Sequence, residues 1–230
     1  MSRTYKYELH THTMECDRAA AMPAAEIVRK YHEAGYDGIV ITDHYFSLFY
    51  DWFADELAEA DHRRIIERYL RGYYAARNEA EKRNFTVLCG AEVRFDHTIN
   101  DFLVYGLEEE DLFRLPLLNR LRNVEELVET LPDHAVVVQA HPFRDKMTVM
   151  SPTALFGIEV HNGGTDPFRN QMARMYAEHY GKAMTSGSDI HHIKALASGG
   201  IETARAITRA RDLVDVLRGG EYSLIGVSDR

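Results

Sequence analysis

The chain has 230 residues and a mass of 26.4 kDa. This length fits one α/β domain with a full core, so we predict a single domain over residues 1–230. The chain carries 27 Lys and Arg against 36 Asp and Glu, which gives a formal net charge of −9. This acidic balance, without a long basic block, disfavours a nucleic acid as the partner.

No targeting or membrane-spanning pattern is visible in the sequence. Residues 1–6 lead into a predicted strand without an apolar leader, and no run of about 18 apolar residues occurs. The two cysteines, Cys16 and Cys89, show neither a CxxC spacing nor a disulfide-rich context, which is typical of reduced thiols. We therefore predict a cytoplasmic protein that does not enter a membrane.

Short β-rich apolar segments alternate with longer helical patterns, which predicts an α/β domain with mostly parallel strands. The predicted strands are, in chain order, residues 5–9, 38–42, 86–89, 102–105, 135–138, 157–160 and 183–186. The predicted helices are residues 24–34, 54–82, 124–131, 167–179 and 209–217. Seven strands in this order indicate a barrel.

Polar side chains follow the C-terminal ends of most of these strands. They are His10, His12, His44, Glu92, His141, His161, Asp189 and His191. Because such strand ends open onto one face of a parallel sheet or barrel, we expect these side chains to converge on one cavity. Histidines mixed with carboxylates, and no cysteine among them, suit Zn, Mn or Fe.

The segment His10-Thr11-His12 places two imidazoles at positions i and i+2. In an extended segment these side chains project to the same side, so they can bind one cation without bending the backbone. Asp17 follows five positions after His12 and is a further candidate ligand.

Five motifs occur along the chain. They are His10-Thr11-His12 with Asp17, Thr42-Asp43-His44, Gly90-Ala91-Glu92, Ala140-His141-Pro142 and Gly187-Ser188-Asp189-Ile190-His191. In this order they resemble the PHP (polymerase and histidinol phosphatase) superfamily of metal-dependent phosphoesterases. The resemblance spans nearly the whole chain.

The resemblance implies a distorted (β/α)7 barrel with two or three divalent metal ions at the C-terminal ends of its strands. It also implies a division of the ligands. His10, His12, Glu92 and Asp189 would hold one ion, and Glu92 would bridge to a second ion that His141 also binds. Asp17, His44 and His191 would hold a third ion.

One position departs from the family pattern. Many members have a histidine ahead of the strand that follows the glutamate, and this chain has Asn100-Asp101 there. Asp101 is either a metal ligand that favours a harder ion such as Mn, or an aspartate that caps a loop. The occupancy of the second metal site depends on which it is.

Three further residues have two readings each. Arg144, three positions after His141, is either a substrate phosphate ligand or a surface ion-pair partner, and Arg94 has the same two readings. His161 is either a proton donor or a residue that lines the pocket. The aromatic residues within 45–53 are either part of the core or a lid over the substrate.

These residues predict a phosphoesterase that cleaves a small phosphorylated substrate by attack of a metal-bridging hydroxide, with Arg144 orienting the phosphoryl group. The sequence leaves two alternatives open. One is a nucleic-acid-processing module of the 3′ exonuclease type, and the other is a non-catalytic regulatory module that binds metal. The sequence indicates neither the substrate nor the oligomeric state.

Overall fold

Eleven strands form two sheets in the described residues, 3–227, of this computed structural model. The α/β class predicted from the sequence is confirmed. The strands are β1 (Tyr5–Thr11), β2 (Gly38–Ile41), β3 (His44–Tyr45), β4 (Thr86–Cys89), β5 (Ala91–Arg94), β6 (Asp101–Tyr105), β7 (Val136–Gln139), β8 (Gly157–Asn162), β9 (Ala183–Gly187), β10 (Gly200–Thr203) and β11 (Tyr222–Ile225).

The helices lie between these strands. They are α1 (Ala24–Glu33), α2 (Ser47–Trp52), α3 (Ala54–Leu57), α4 (His62–Tyr69), α5 (Arg71–Ala80), α6 (Glu109–Arg114), α7 (Val124–Thr130), α8 (Pro167–Tyr180) and α9 (Ala210–Gly219). Two short 3₁₀ turns cover Leu118–Arg120 and Ile193–Ala195. None of the helices in residues 3–227 is long and apolar enough to cross a bilayer.

The strand pairing does not confirm the single closed barrel that the sequence predicts. One sheet has the order β11-β10-β1-β2-β4 and the other has the order β3-β5-β6-β7-β8-β9. Within the described part of the chain, one isolated parallel bridge links the two sheets. It pairs Thr11, the last residue of β1, with Ile190, which follows β9 by three residues. The prediction of mostly parallel strands holds for five of the nine strand pairs, and the other four are antiparallel.

The two sheets share a buried apolar cluster. It includes Leu9 and Val40 from the first sheet and Leu103 and Val138 from the second. Helix α9 covers this cluster with Leu213 and its neighbours, and it ends at Gly220 in the left-handed conformation. A larger cluster fills the space between the sheets and the other helices. The core thus fixes the strands whose ends carry the polar motifs.

The helix predicted over residues 54–82 is divided into α3, α4 and α5. The break before α4 has a local cause, because the Asp61 side chain accepts a hydrogen bond from the Arg64 N–H (2.8 Å) and caps the new helix. Leu70 alone separates α4 from α5. The charged helical pattern continues through residue 61, but the Asp61 side chain bonds to the backbone there and starts a new helix.

Strand β6 runs antiparallel to both of its neighbours, β5 and β7. Asp101, its first residue, therefore lies opposite Arg94, the last residue of β5. This reversal places the first residue of β6 beside the C-terminal ends of β5 and β7.

Candidate metal centre

The two imidazoles of strand β1 and the turn after it reach the same carboxylate. His12 Nε2 lies 3.1 Å from Asp189 Oδ1, and His10 Nε2 lies 3.5 Å from the same oxygen. Glu92 of β5 is close to both rings, at 3.2 Å from His10 Nε2 and 3.4 Å from His12 Nε2. Residues from β1, β5 and the turn after β9 therefore converge as the sequence predicts.

Eight of the nine predicted ligands fall into three overlapping groups, in each of which the potential ligand atoms lie within 4.8 Å of one another. The groups are His10 with His12 and Asp189, His10 with Glu92 and His141, and His12 with Asp17, His44 and His191. The ninth, Asp101, is outside these groups. These clusters are able to bind metal ions.

Several buried atoms of the predicted ligands have no hydrogen-bond partner and could bind a cation. Within residues 3–227, His10 Nε2, both ring nitrogens of His12 and Glu92 Oε2 are buried and have no hydrogen-bond partner. Buried polar atoms in folded proteins are almost always paired. Imidazole nitrogens and carboxylate oxygens are ligand types that Zn, Mn and Fe prefer, so these unpaired atoms fit metal binding.

Burial and charge act differently on the histidines of the cluster. Burial, together with the neighbouring His44, lowers the pKa of His12 to about 3, so its ring is a neutral ligand near pH 7. Burial alone would lower the pKa of His10, but the carboxylates of Glu159, Asp189 and Glu92 outweigh it and raise that pKa well above its usual value. Metal binding must therefore displace protons from part of the cluster.

His191 gives a pH dependence to the stability of the metal-free protein. Burial alone would lower the pKa of His191, but its hydrogen bonds with Asp17 and Asp189 outweigh it and raise the pKa to about 10. Because this pKa exceeds the unfolded value of about 6.5, the imidazolium stabilises the fold fully below about pH 6.5, and this contribution is lost as the pH rises through about 10. We expect chelator-treated protein to melt at a lower temperature near pH 10 than near pH 6.5.

Thermal unfolding followed by circular dichroism measures this difference. The variant His191→Gln removes the titrating group, so its melting temperature should fall less over the same pH interval. An equal fall in both proteins would show that other groups cause the pH dependence.

Glu159, which the sequence analysis did not single out, forms hydrogen bonds with two of the predicted ligands. Its Oε1 accepts a hydrogen bond from His10 Nδ1 (2.8 Å), and its Oε2 accepts from the backbone N–H of His141 (2.9 Å) and from Asn162 Nδ2 (2.9 Å). A carboxylate bonded to the far nitrogen of a ligating histidine fixes the ring and its tautomer. The sequence signal was a lone glutamate in the apolar segment Gly157-Ile158-Glu159-Val160, since a buried charge requires partners.

Replacing Glu159 by glutamine is expected to weaken metal binding by about 10- to 100-fold. The amide would present an N–H group to one of three donors that now meet carboxylate oxygens. Titration of the metal-free protein with Mn²⁺ in a calorimeter measures the change. Glu125→Gln, at an exposed position of α7, is the matched control. Unchanged affinity in Glu159→Gln would contradict the positioning role.

Two predicted ligands have unusual backbone conformations. His141 has φ of 27° and Asp189 has φ of 49°, in the left-handed region that residues other than glycine rarely adopt. Such strain is retained where surrounding contacts impose it, and it is concentrated at functional sites. Gly187, the last residue of β9, lies so close to the site that an added Cβ would come within 2.4 Å of His10 Cβ. The end of β9 therefore packs directly against His10, and only glycine fits there.

Arg144 lies against the cluster, as the functional reading of this residue requires. Its Nη2 donates to Asn162 Oδ1 (2.8 Å) and to Asp189, and its Nε donates to Thr165 Oγ1 (3.0 Å). The side chain is 29% exposed, so part of it is accessible from solvent. Its role as a phosphate ligand stays a prediction.

His161 lies apart from the cluster because strand β8 has an irregular register. The pairing of β8 with β9 shifts between Glu159 and His161, so that Glu159 and Asn162 both reach the ligands. His161 instead contacts the Ser198 carbonyl through Nε2 (2.8 Å). It lines a cavity of about 650 Å³ with residues of α8, including Phe168 and Asn170. None of the predicted metal ligands lines this cavity, so both readings of His161, proton donor and residue of the substrate pocket, stay predictions.

The aromatic residues after His44 serve the core and the site. Phe49 is buried among apolar side chains, as the core reading predicts. Phe46 is also buried, and its ring stacks on His44 at a centroid distance of 4.8 Å. The Arg94 guanidinium lies 5.4 Å from the centre of the Phe46 ring.

Comparison with known proteins gives one match to a family model and several similar folds. Residues 167–222 match the model of the family described as PHP-associated, and this region contains Asp189 and His191. The fold resembles that of a two-domain protein from Bacteroides vulgatus that contains a predicted PHP-like metal-dependent phosphoesterase, with a TM-score of 0.67 and 17% identity. The chain is thus similar to PHP proteins in this region of its sequence and in its fold.

The chain covers 65% of the length of the Bacteroides protein, and 97% of the chain is included in that match. PsfC from Pseudomonas syringae has a TM-score of 0.60 and 16% identity, with 90% of this chain and 85% of PsfC covered. An amidohydrolase from Chromobacterium violaceum, solved with sulfate and without metal, has a TM-score of 0.52 and 16% identity, with 80% of this chain and 87% of that protein covered. No curated protein matches the sequence. At these identities the solved structures show the fold alone.

Proposed function

We propose that the chain is a metal-dependent phosphoesterase that hydrolyses a small phosphomonoester or nucleotide, in the manner of a histidinol phosphatase. The observation that carries this proposal is the convergence of eight histidine and carboxylate ligands, four of whose atoms are buried without partners. The match of residues 167–222 to the PHP-associated model and the similarity of the fold to a PHP-like protein support it. We further propose that the two sheets form the arcs of a distorted barrel that meet at Thr11 and Ile190.

The residues of the site would have different roles in this reaction. Divalent ions held by the three groups would lower the pKa of a coordinated water and offset charge on the phosphoryl oxygens. Glu159 holds the His10 ring in place, and Asn162 holds Arg144 beside Asp189. The partly exposed Arg144 side chain can then bind the oxygens of a phosphate with its guanidinium N–H groups. Positioning of this kind orients the phosphorus for in-line attack.

The test is elemental analysis of the purified protein combined with phosphate release. Metal-free protein is reloaded with Mn²⁺, Zn²⁺ or Fe²⁺, and the bound metal is counted by mass spectrometry. Phosphate release is measured on histidinol phosphate, nucleoside monophosphates, sugar phosphates and a single-stranded DNA oligonucleotide, for the wild type and His10→Ala. We expect about two or three equivalents of metal and turnover of a monoester that the variant loses.

The same panel separates the alternatives. Trimming of the oligonucleotide without release from monoesters would favour the exonuclease type. Bound metal without hydrolysis of any substrate would favour a regulatory module. Protein that binds none of the three metals would overturn the proposed function.

A further inference from the structure

An ion pair lies at the edge of the metal cluster, where the chain departs from the family pattern. Arg94 and Asp101 face each other across β5 and β6 and form two parallel hydrogen bonds. Arg94 Nε donates to Asp101 Oδ1 (2.6 Å), and Arg94 Nη2 donates to Asp101 Oδ2 (2.7 Å). Asp101 is 1% exposed, so this fork is its main source of charge compensation.

Asp101 lies close enough to the cluster to be a ligand. Its Oδ2 is 3.8 Å from His141 Nε2, which is itself 3.0 Å from Glu92 Oε1. Two ligands of one ion, each at about 2.1 Å from it, are separated by about 3 to 4 Å. Asp101 is therefore in position for the second metal site, but both its oxygens face the guanidinium.

The guanidinium makes this place unfavourable for a divalent ion. An ion bound to Asp101 Oδ2 would be a close neighbour of the Arg94 charge in a buried setting, where like charges are weakly screened. An arginine guanidinium does not lose its proton in proteins, so Arg94 remains charged beside Asp101.

The other donors cannot complete the second site without Asp101. His10 Nδ1 is bonded to Glu159, which leaves Nε2 as its single metal-binding atom. If that atom binds with His12 and Asp189, it cannot also bind with His141. Glu92 and His141 then remain, and two protein ligands are fewer than the three usual at a catalytic ion.

We propose that Arg94 takes the place of the second metal ion, so that the cluster holds two divalent ions and Asp101 acts as the counter-ion that positions the guanidinium. This inference rests on metal binding by the proposed phosphoesterase. Phe46 supports the guanidinium from one side, and 29% of the Arg94 side chain stays exposed. The positive charge of Arg94 can therefore interact with a phosphoryl oxygen of the substrate, as the second metal ion otherwise would.

The number of bound ions tests this proposal directly. Metal-free wild type, Asp101→Asn, Arg94→Gln and the double variant are loaded with Mn²⁺, desalted and analysed for manganese. We expect about two equivalents in the wild type and in Asp101→Asn, because Asp101 is not a ligand. We expect about three equivalents in Arg94→Gln, because a released Asp101 completes the site, and a return to about two in the double variant.

Three equivalents in the wild type and two in Asp101→Asn would overturn the proposal, since Asp101 would then be a ligand. Two equivalents in Arg94→Gln would overturn it as well. Arg94→Lys keeps the charge and should bind two equivalents, which controls for the loss of the side chain. Circular dichroism verifies that each variant folds. If the arginine variants do not fold, the manganese content of the wild type and of Asp101→Asn still shows whether Asp101 is a ligand of a third ion.

The outcomes also separate this inference from the proposed function. A wild type that binds no manganese, zinc or iron fails as a metal-dependent enzyme, and this inference fails with it. A wild type that binds metal and releases phosphate, with unchanged metal content in Arg94→Gln, retains the proposed function and loses only the inference.

Discussion

Replacing His12 by alanine is expected to reduce phosphoester hydrolysis by about 10³-fold and to lower the metal content of the purified protein. His12 belongs to two of the three ligand groups, and neither of its ring nitrogens has a hydrogen-bond partner within residues 3–227. Its low pKa makes it a neutral ligand. Loss of one ion removes several kcal/mol of transition-state stabilisation, and about 4 kcal/mol corresponds to a factor of about 10³ in rate. Phosphate release and elemental analysis measure the two effects.

His192→Ala is the matched control for this experiment. His192 follows His191 directly, yet it is exposed and belongs to none of the three groups. The control should keep its metal and its rate. Full activity and full metal content in His12→Ala would show that the cluster is not the catalytic centre.

Much of the ligand set could be predicted because it depends on local rules. The i, i+2 spacing brings His10 and His12 to one carboxylate oxygen of Asp189. Apolar strands followed by polar residues predict a shared face, and eight predicted ligands meet there. Strand β4 has the predicted bounds, and six other strands differ from theirs by one or two residues at an end.

The parts that could not be predicted depend on long-range pairing. The reversed direction of β6 is set by β5 and β7, so the sequence could not show that Asp101 would meet Arg94. The irregular register of β8 is also a property of its pairing with β9, and it decides that His161 lies apart from the cluster. The short strands β3 and β5 continue from β2 and β4 after a break of one or two residues, which apolar patterning alone does not separate into two sheets.

Glu8 illustrates a signal in the sequence that was visible but not used. It lies between Tyr7 and Leu9 in an apolar strand, and it is fully buried. A carboxylate at such a position must be compensated by hydrogen bonds or charge. Glu159 has the same context, and both glutamates hold the cluster in place without belonging to it.

Replacing Glu8 by alanine is expected to lower the free energy of unfolding by about 3 to 5 kcal/mol, because it leaves buried donors without an acceptor. Glu8 accepts hydrogen bonds from the N–H groups of Leu9 (2.9 Å), His10 (3.0 Å) and Ser188 (2.8 Å). It also accepts from the hydroxyls of Ser188 and Tyr31. For a chain of this size the melting temperature should fall by roughly 10 °C, as measured by thermal unfolding of metal-free protein.

Two variants resolve where this stability comes from. Tyr31→Phe removes one donor and should lower the free energy of unfolding by only about 1 kcal/mol. Glu8→Gln keeps one oxygen and should lie between Tyr31→Phe and Glu8→Ala. Because Glu8 ties strand β1 at His10 to the turn that carries Asp189, the alanine variant should also bind Mn²⁺ more weakly than Tyr31→Phe does. A Glu8→Ala protein within about 1 kcal/mol of the wild type would show that water or a backbone shift satisfies these donors, and that Glu8 does not hold the two ligand segments together.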